Sequence, residues 1–268
     1  MIAPHHICGI ILAAGKGKRM HSDLPKVLHQ LAGRSMLAHV AAALESIPLN
    51  SLCLVLNDQL SPFQGFLGEH PGYGVCLQQI QNGTGGAVAA CAPLFTNVKA
   101  CSYAPSSLHS GQPLAPSHVL ICAGDSPALS PSILRSFIAD SLAQQSRLAI
   151  MAMKIPEPSG YGRLLVDEDQ GLVKIVEEKD ASREEKQLQL VHSGIVFAET
   201  CFLFELLQNL STHNEQQEYY LTDCIAQARQ AGEAVHYFPC PDYRTCLGVN
   251  TREQLKAMEA YMNERTFS

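Results

Sequence analysis

The chain has 268 residues, of which 46% are hydrophobic and 16% are charged, so it can bury a large core and is not globally disordered. Its formal net charge of −6 argues against binding to nucleic acids or to anionic membrane surfaces. The ten cysteines lack metal-binding spacing, so we expect reduced, mostly buried thiols in a cytoplasmic protein. We also expect neither a signal peptide nor a membrane-spanning segment.

The first predicted strand, residues 7–12, leads into a loop that contains Gly15 and Gly17. Four cations follow within a short distance: Lys16, Lys18, Arg19 and Lys26. Glycines let backbone N–H groups approach phosphate oxygens, and the cations neutralise their charge. The spacing excludes a P-loop and a dinucleotide-binding fingerprint. The stretch therefore indicates a phosphate-binding loop, with a strand and a solvated basic face as the alternative.

A helix over residues 35–44, with Ser35 as its N-cap, and a second buried strand over 52–56 follow. The order strand, helix, strand predicts a right-handed βαβ unit. The next distinctive stretch, residues 78–87, combines amide side chains with a glycine turn, and we expect a helix to start with residues 87–92. Amide groups on a pliable loop can pair with the edge of a base, although an ordinary glycine-rich helix entry is the simpler interpretation.

Residues 97–117 are rich in Ser, Pro, Ala and Gly, which predicts a surface insertion. A buried strand follows over 118–123 and leads to Asp125. An acid at the carboxyl end of a central strand points into the crevice where α/β sheets bind ligands, and its oxygens suit Mg²⁺. Because Asp-Ser-Pro is also a common turn, a capping role for Asp125 is the alternative.

The second half of the chain continues the alternation of strands and helices. We predict helices over 132–144, 222–231 and 251–264, strands over 148–153, 172–176 and 190–197, and an exposed helical turn over 183–189. The glycines of 160–163 permit close approach of a bulky ligand, and Glu177 can accept hydrogen bonds from sugar hydroxyls. Taken singly, the charged run 177–180 is the solvated end of a strand.

Six motifs in this order resemble the uridylyltransferase domain of the bifunctional N-acetylglucosamine-1-phosphate uridylyltransferase/glucosamine-1-phosphate acetyltransferase family. They lie at 12–20 with 22–33, at 78–84, at 124–125, at 160–163 with 177–180, at 218–223 and at 248–252. The resemblance covers nearly the whole chain but only the first half of the bifunctional enzyme. No hexapeptide repeat follows residue 264, so we expect the acetyltransferase β-helix to be absent from this chain.

The resemblance implies an α/β protein with a Rossmann-like nucleotidyltransferase fold, in which helices flank a central mixed, mostly parallel sheet. It implies a single domain over 1–268, with a nucleotide-binding half over about 1–130, a sugar-binding half over about 131–250 and a C-terminal helix over 251–264. Outside the missing β-helix the family has few subunit contacts, so we expect a monomer. Its expected partners are small-molecule substrates, not nucleic acid or membrane.

The implied reaction is the transfer of a uridylyl group from UTP to N-acetylglucosamine 1-phosphate, with Mg²⁺ as the cofactor. Its products are pyrophosphate and UDP-N-acetylglucosamine, a precursor of peptidoglycan and lipopolysaccharide. By resemblance, Arg19 and Lys26 are catalytic, and Asp125 and Asn250 bind the metal. The nucleotide contacts are Leu12, Ala13, Ala14, Gly15, Gln78, Gln81, Gly83 and Thr84. The sugar contacts are Gly162, Glu177, His192, Tyr220 and Thr222.

Two departures from the family pattern concern the sugar: Ala123 replaces a tyrosine, and His192 replaces an asparagine. The same chemistry on another sugar 1-phosphate is therefore an alternative, and so is an inactive sensor of nucleotide sugars. A cytidylyltransferase that acts on alcohol phosphates shares the first motif but not the sugar motifs. A dehydrogenase is less consistent, because the glycine spacing fails.

Overall fold

A mixed β-sheet with helices on both faces forms the framework of the computed structural model, which describes residues 6–15, 17–103, 108–110, 113–168 and 171–266. The strands are β1 (Ile7–Leu12), β2 (Gln30–Leu31), β3 (Arg34–Ser35), β4 (Ser51–Leu56), β5 (Gly74–Leu77), β6 (Leu108–Ser110), β7 (His118–Ala123), β8 (Leu148–Lys154), β9 (Arg163–Val166), β10 (Leu172–Val176), β11 (Leu190–Glu199) and β12 (His236–Pro239). The helices are α1 (Met36–Glu45), α2 (Gln64–Glu69), α3 (Thr84–Ala89), α4 (Pro131–Ala143), α5 (Thr200–Leu207), α6 (Asp223–Gln230) and α7 (Arg252–Thr266).

Strand β1 lies at the centre of the parallel part of the sheet. It pairs in parallel with β4 on one side and with β7 on the other, and β5 extends the parallel set beyond β4. Both faces of these strands are covered, so their sequences are continuous apolar runs without polar alternation. The predicted βαβ order and the bounds of β1 and β7 are confirmed.

Alternate residues of β1 serve two hydrophobic cores, one on each face of the sheet. Cys8 and Ile10 pack in a core that includes residues of α3, α5 and α6. Ile7 and Ile11 pack in a second core with residues of α1 and α4. This two-residue period is the geometry of an extended strand, and it produces a layered structure with helices on both sides.

Strand β11 joins the two halves of the sheet, because it pairs antiparallel with β7, β8 and β9. The register shifts between His192 and Val196, and Gly194 within that interval has a φ of 83°. Strand β12 adds to β8 in parallel. The predicted mixed sheet flanked by helices is confirmed, with its parallel pairs concentrated in the first half of the chain.

Several element predictions differ from the structure. Helix α3 begins at Thr84, not at residue 87, because the turn ends at Gly83, whose φ is 105°. The segment 97–117 contains residues 104–107 and 111–112, which lie outside the described residues. Its described part is more than a surface insertion, since β6 pairs with β5 and Cys101 is buried.

The prediction of reduced, mostly buried cysteines is confirmed. All ten are free, eight are buried, and only Cys201 and Cys240 are half-buried. The Sγ atom of Cys53 lies 3.4 Å from that of Cys76 and 3.8 Å from that of Cys91. No helix in the described part of the chain is long and apolar enough to cross a membrane.

Candidate active site

The four residues predicted for catalysis and metal binding meet at the carboxyl ends of β1 and β7. The ammonium of Lys26 contacts Oδ2 of Asp125 and donates to Oδ1 of Asn250 at 2.8 Å. The Arg19 guanidinium donates to the same Asn250 oxygen at 2.9 Å. Two cationic side chains, Arg19 and Lys26, and two side chains with acceptor oxygens, Asp125 and Asn250, therefore form one cluster. We call these four residues, which come from three distant parts of the sequence, the phosphate cluster.

Backbone hydrogen bonds position the phosphate cluster. The N–H of Gly124 donates to the carbonyl of Leu12 at 2.9 Å, which fixes the end of β7 beside that of β1. The N–H of Val249 donates to the carbonyl of Asp125 at 2.9 Å, and this bond carries Asn250 to the site. Val249 is buried in a small core with Met258 of α7, so the C-terminal helix supports the arrangement.

Gly17 has a structural reason to be glycine. Its φ is 57°, and a Cβ added there would lie 2.5 Å from the Cβ of Lys26. The left-handed backbone and this close approach together let the loop pass over the lysine. The predicted phosphate-binding residue Lys16 lies outside the described residues.

The donor set of the phosphate cluster fits a divalent cation. Asp125 offers a carboxylate oxygen and Asn250 an amide oxygen. The ammonium of Lys26 contacts both oxygens, so they lie close enough together to share one cation. Oxygen ligands of these two types are those that Mg²⁺ accepts in proteins. The side chain of Asp125 is 16% exposed, so the site is sheltered but reachable.

The predicted nucleotide contacts are also brought together. The side chain of Gln81 donates to the carbonyl of Ala14 at 2.9 Å, and that of Gln78 donates to the carbonyl of Gly83 at 2.9 Å. The Thr84 hydroxyl accepts from the backbone N–H of Leu221 at 3.0 Å. Of the remaining contacts, Leu12 ends β1, and Ala13 and Gly15 lie in the glycine loop that follows it.

Asn57 lies beside the predicted nucleotide contacts, and the sequence analysis did not single it out. It is buried directly after β4, and its Nδ2 donates to the carbonyl of Ala14 at 3.4 Å. A polar side chain at the carboxyl end of a buried strand is the signal that singled out Asp125. The same signal was present at Asn57.

The segment 97–103 supports the predicted base-binding loop from behind. The ring of Tyr103 stacks on that of Tyr219, with centroids 3.8 Å apart. The backbone carbonyl of Tyr103 accepts from Nδ2 of Asn82 at 2.7 Å. Tyr219 in turn accepts at its carbonyl from the N–H of Gly85 at 2.8 Å. A Cβ added at Gly83 would lie 2.5 Å from that same carbonyl oxygen. The loop is therefore held against Tyr219, and Tyr103 holds Tyr219.

The predicted sugar contacts form a second group, which adjoins the nucleotide contacts where Leu221 bonds Thr84. The Thr222 hydroxyl donates to Oε1 of Glu177 at 2.8 Å, and burial raises the pKa of that carboxyl although the hydrogen bond opposes the shift. A Cβ added at Gly162 would lie 3.3 Å from Oε2 of Glu177. Gly162 also accepts at its carbonyl from the N–H of His192 at 2.8 Å. Tyr220 is buried two residues before Thr222.

His192 is neutral at pH 7, because burial lowers the pKa of its imidazole to about 4. Its Nδ1 atom is buried and makes no hydrogen bond to the described residues. A Cβ added at the nearby Gly194 would have the Cβ of Ala123 as its nearest neighbour, at 3.8 Å, so Ala123 faces this part of β11. The two departures from the family pattern, Ala123 at the end of β7 and His192 in β11, thus lie on paired strands near Gly194.

Arg163 is structural, although it belongs to a predicted sugar motif. Its side chain is 1% exposed and donates to Glu178 at 2.7 Å, to the carbonyl of Lys186 at 3.3 Å and to the carbonyl of Tyr161. These bonds join the loop before β9 to the segments that follow β10. Arg163 therefore fixes the loop that carries Gly162.

Comparison with known proteins agrees with this geometry. Residues 9–188 match the MobA-like NTP transferase domain family. The bifunctional protein GlmU of Streptococcus suis is 37% identical over 256 residues, which are 96% of this chain and 52% of that protein. The bifunctional protein GlmU of Mycobacterium bovis is 35% identical over 270 residues, which are 99% of this chain and 51% of that protein. The chain spans about half the length of these curated relatives.

Solved structures show the same fold at low sequence identity. A UDP-glucose pyrophosphorylase complexed with UDP-glucose is 13% identical, with a TM-score of 0.73 over 97% of this chain and 99% of that one. A putative glucose-1-phosphate thymidylyltransferase from Bacillus anthracis, in complex with a sucrose, is 16% identical, with a TM-score of 0.71 over 95% of this chain and 94% of that one.

Proposed function

Because the chain belongs to the MobA-like NTP transferase family and is a nucleotidyltransferase, we propose that it transfers the uridylyl group of UTP to N-acetylglucosamine 1-phosphate. An oxygen of the sugar phosphate attacks the α-phosphorus of UTP, the bond from that phosphorus to the β-phosphate oxygen breaks, and pyrophosphate leaves. The observation that carries this proposal is the phosphate cluster, in which Lys26 and Arg19 converge on Asp125 and Asn250.

The proposed reaction needs no general base, because the attacking phosphate oxygen is already anionic at neutral pH. Catalysis then consists of positioning the two substrates and neutralising their charge. Lys26 would bind the reacting phosphates, and Arg19 would neutralise the leaving pyrophosphate. Asp125 and Asn250 would hold Mg²⁺, which when bound supplies further positive charge for the phosphates.

Two adjoining groups of residues would divide the recognition of the substrates. The loop that contains Gln78, Gln81 and Gly83 would hold the uracil, because its amide groups can donate to and accept from the edge of a base. Glu177, oriented by Thr222, would accept hydrogen bonds from sugar hydroxyls. Neutral His192 would donate to or accept from the sugar, and it would not bind the phosphate as a cation.

The deciding experiment measures pyrophosphate release with UTP and Mg²⁺ in the presence of N-acetylglucosamine 1-phosphate, glucose 1-phosphate or no sugar. We expect release with the N-acetylated sugar and little without a sugar. Release with a different sugar only would keep the chemistry and change the substrate. A folded sample that binds UTP but releases no pyrophosphate with any sugar would favour the inactive sensor of nucleotide sugars.

The sugar preference should respond to residues 123 and 192. Restoring the family pattern with Ala123→Tyr and His192→Asn should lower the KM for N-acetylglucosamine 1-phosphate by about 2- to 10-fold, which is the range of one or two added hydrogen bonds. Steady-state kinetics with both sugars checks the prediction, and the KM for UTP serves as the internal control. An unchanged ratio of kcat/KM between the two sugars would contradict it.

The stack of Tyr103 on Tyr219 should affect nucleotide binding. Tyr103→Ala removes a stacked aromatic pair, so we expect the KM for UTP to rise by about 3- to 10-fold, while kcat and the KM for the sugar phosphate stay nearly unchanged. Tyr103→Phe is the matched control, because it keeps the stack and removes only the hydroxyl that donates to the carbonyl of Leu207. Equal losses in kcat and in both KM values would indicate a general structural defect instead.

A further inference from the structure

Two cysteines lie side by side in the segment that connects β12 to the phosphate cluster. Cys240 follows β12 directly and is half-buried, and Cys246 is buried at the end of the 3₁₀ helix Tyr243–Cys246. Their Sγ atoms are 3.5 Å apart. The other half-buried cysteine, Cys201, hydrogen-bonds Asn97 instead of a second thiol.

The turn between the two cysteines holds the thiols in this arrangement. The side chain of Asp242 accepts from the N–H of Arg244 at 3.1 Å and from the hydroxyl of Tyr261 at 2.9 Å. The Thr245 hydroxyl donates to the carbonyl of Asp242 at 2.8 Å. The thiols are thus brought together by a structured turn that α7 supports through Tyr261.

The two sulfurs differ in protonation. The hydrogen bond with Cys246 lowers the pKa of Cys240 to about 7, although burial and the Asp242 carboxylate oppose the shift. The same hydrogen bond and burial raise the pKa of Cys246 well above its usual value. Cys240 donates to the carbonyl of Asp242 at 3.2 Å as a thiol, but it is partly exposed and ionises more readily than Cys246. This difference is typical of a pair in which one cysteine attacks and the other resolves.

We propose that Cys240 and Cys246 are a site of reversible oxidation, at which a peroxide converts the two thiols to an intramolecular disulfide. The Cys240 thiolate attacks one oxygen of hydrogen peroxide, the O–O bond breaks, and hydroxide leaves, so that Cys240 becomes a sulfenic acid. The Cys246 sulfur then attacks the Cys240 sulfur, loses its proton, and expels the hydroxyl as water. Two thiols are oxidised, and one peroxide is reduced to two water molecules.

The disulfide should displace Asn250 of the phosphate cluster, because Asn250 lies on the same segment as the two cysteines. Shortening the Sγ–Sγ distance from 3.5 Å to the length of an S–S bond requires an approach of about 1.5 Å. Cys246 also contacts Sδ of Met151 at 3.3 Å and lies four residues before Asn250. This second step rests on the proposed function, whereas the formation of the disulfide does not.

Mass spectrometry of the whole chain tests the disulfide directly. After treatment with hydrogen peroxide the intact mass should decrease by two hydrogens, and dithiothreitol should restore it. Trypsin cleaves after Arg229, Arg244 and Arg252, so each cysteine lies on its own peptide, residues 230–244 and 245–252. Without reductant, these two peptides should be recovered as one linked species.

Matched variants separate the outcomes. Cys240→Ser and Cys246→Ser should each abolish the linked species, and Cys201→Ser should retain it. Recovery of Cys240 as sulfenic or sulfinic acid without the link would overturn the proposal. So would a link between Cys53 and Cys76, whose sulfurs lie at a similar distance but inside the core.

The kinetic consequence is measured on the same samples. Oxidised wild-type protein should release pyrophosphate about 10-fold or more slowly, since a displacement of about 1 Å in a positioned site can cost that much. Dithiothreitol should restore the rate, and oxidant should not slow Cys240→Ser. If the linked species forms and the rate is unchanged, the disulfide does not affect the phosphate cluster. If the reduced enzyme shows no turnover, the proposed function is contradicted, but the formation of the disulfide is not.

Discussion

Asp125→Ala should lower kcat for pyrophosphate release by about 100- to 1000-fold or more, the loss expected when a group that organises transition-state charge is removed. The carboxylate lies just after β7 and contacts Lys26. The backbone carbonyl of Asp125, which the variant retains, accepts from the N–H of Val249, the residue before Asn250. The substitution removes the only acidic side chain in the phosphate cluster as it is defined here. Lys26 would then lose its carboxylate partner, and the cluster would lose the proposed anionic metal ligand beside Asn250.

The isosteric Asp125→Asn variant isolates the charge, because an amide oxygen can still accept from Lys26. We expect it to bind UTP in calorimetry but to require more Mg²⁺ for a much lower maximal rate. Asp140→Ala is the control, because Asp140 lies on α4, outside the phosphate cluster. Its carboxylate hydrogen-bonds His236 at 2.6 Å. Near-normal Mg²⁺-dependent turnover in Asp125→Ala would contradict the assignment of the metal site.

Arg163→Met should lower the free energy of unfolding by about 2–4 kcal/mol, because its partners lose their donor inside the protein. The full range for a broken buried ion pair is about 3–5 kcal/mol, but the Glu178 side chain is 31% exposed and water can compensate part of the loss. Two backbone carbonyls, those of Tyr161 and Lys186, also lose a donor. Urea denaturation at pH 7 measures the effect.

Glu178→Gln tests the ionic part of this network through its pH dependence. Burial would raise the pKa of Glu178, but the N–H of Gly160 and the Arg163 guanidinium hold it below its usual value. Because the pKa of Glu178 is lower in the folded than in the unfolded protein, its ionised carboxylate stabilises the folded state. This stabilisation is present when the pH is above the unfolded-state pKa of about 4.3, and it is lost as the pH falls through the folded-state pKa.

The stability difference between wild type and Glu178→Gln should therefore shrink on acidification below about pH 4.3. Urea denaturation of both proteins at several pH values between neutrality and that range gives the difference directly. The comparison cancels the opposite contribution of Glu177, whose pKa is raised by burial. A difference that does not depend on pH would show that Glu178 acts only by packing.

The main chemical residues were identifiable from local sequence. Continuous apolar runs followed by glycine and charged residues placed β1 and β7 correctly, with Asp125 just after β7 and with Arg19 and Lys26 in the segment that follows β1. Ser35 was recognised as an N-cap because its hydroxyl can accept from an N–H three residues on, and it does so from Ala38 at 3.1 Å. Such signals are short-range, so sequence patterns contain them.

The start of α3, the helices α2 and α5 and several strands, among them β5, β6, β9 and β12, were not predicted. These strands are short, between three and four residues, and their pairing partners decide their conformation more than their own propensity does. Helix α3 starts earlier than expected because Gly83 and Gly85 are held against Tyr219, far along the chain. A local pattern of glycines does not carry that information.

The sequence by itself determined the residue types of the site and the buried strands that lead to it. It also carried the motifs of a family resemblance, and the later family match agrees with that resemblance. Only the tertiary structure decided which of these residues touch. The bonds of Lys26 to Asp125 and to Asn250 join residues 99 and 224 positions apart, and the stack of Tyr103 on Tyr219 joins segments that had no evident relation. The same is true of the proximity of the Cys240 and Cys246 sulfurs. Such contacts arise from the packing of whole elements against a common core, and no short stretch of sequence specifies them.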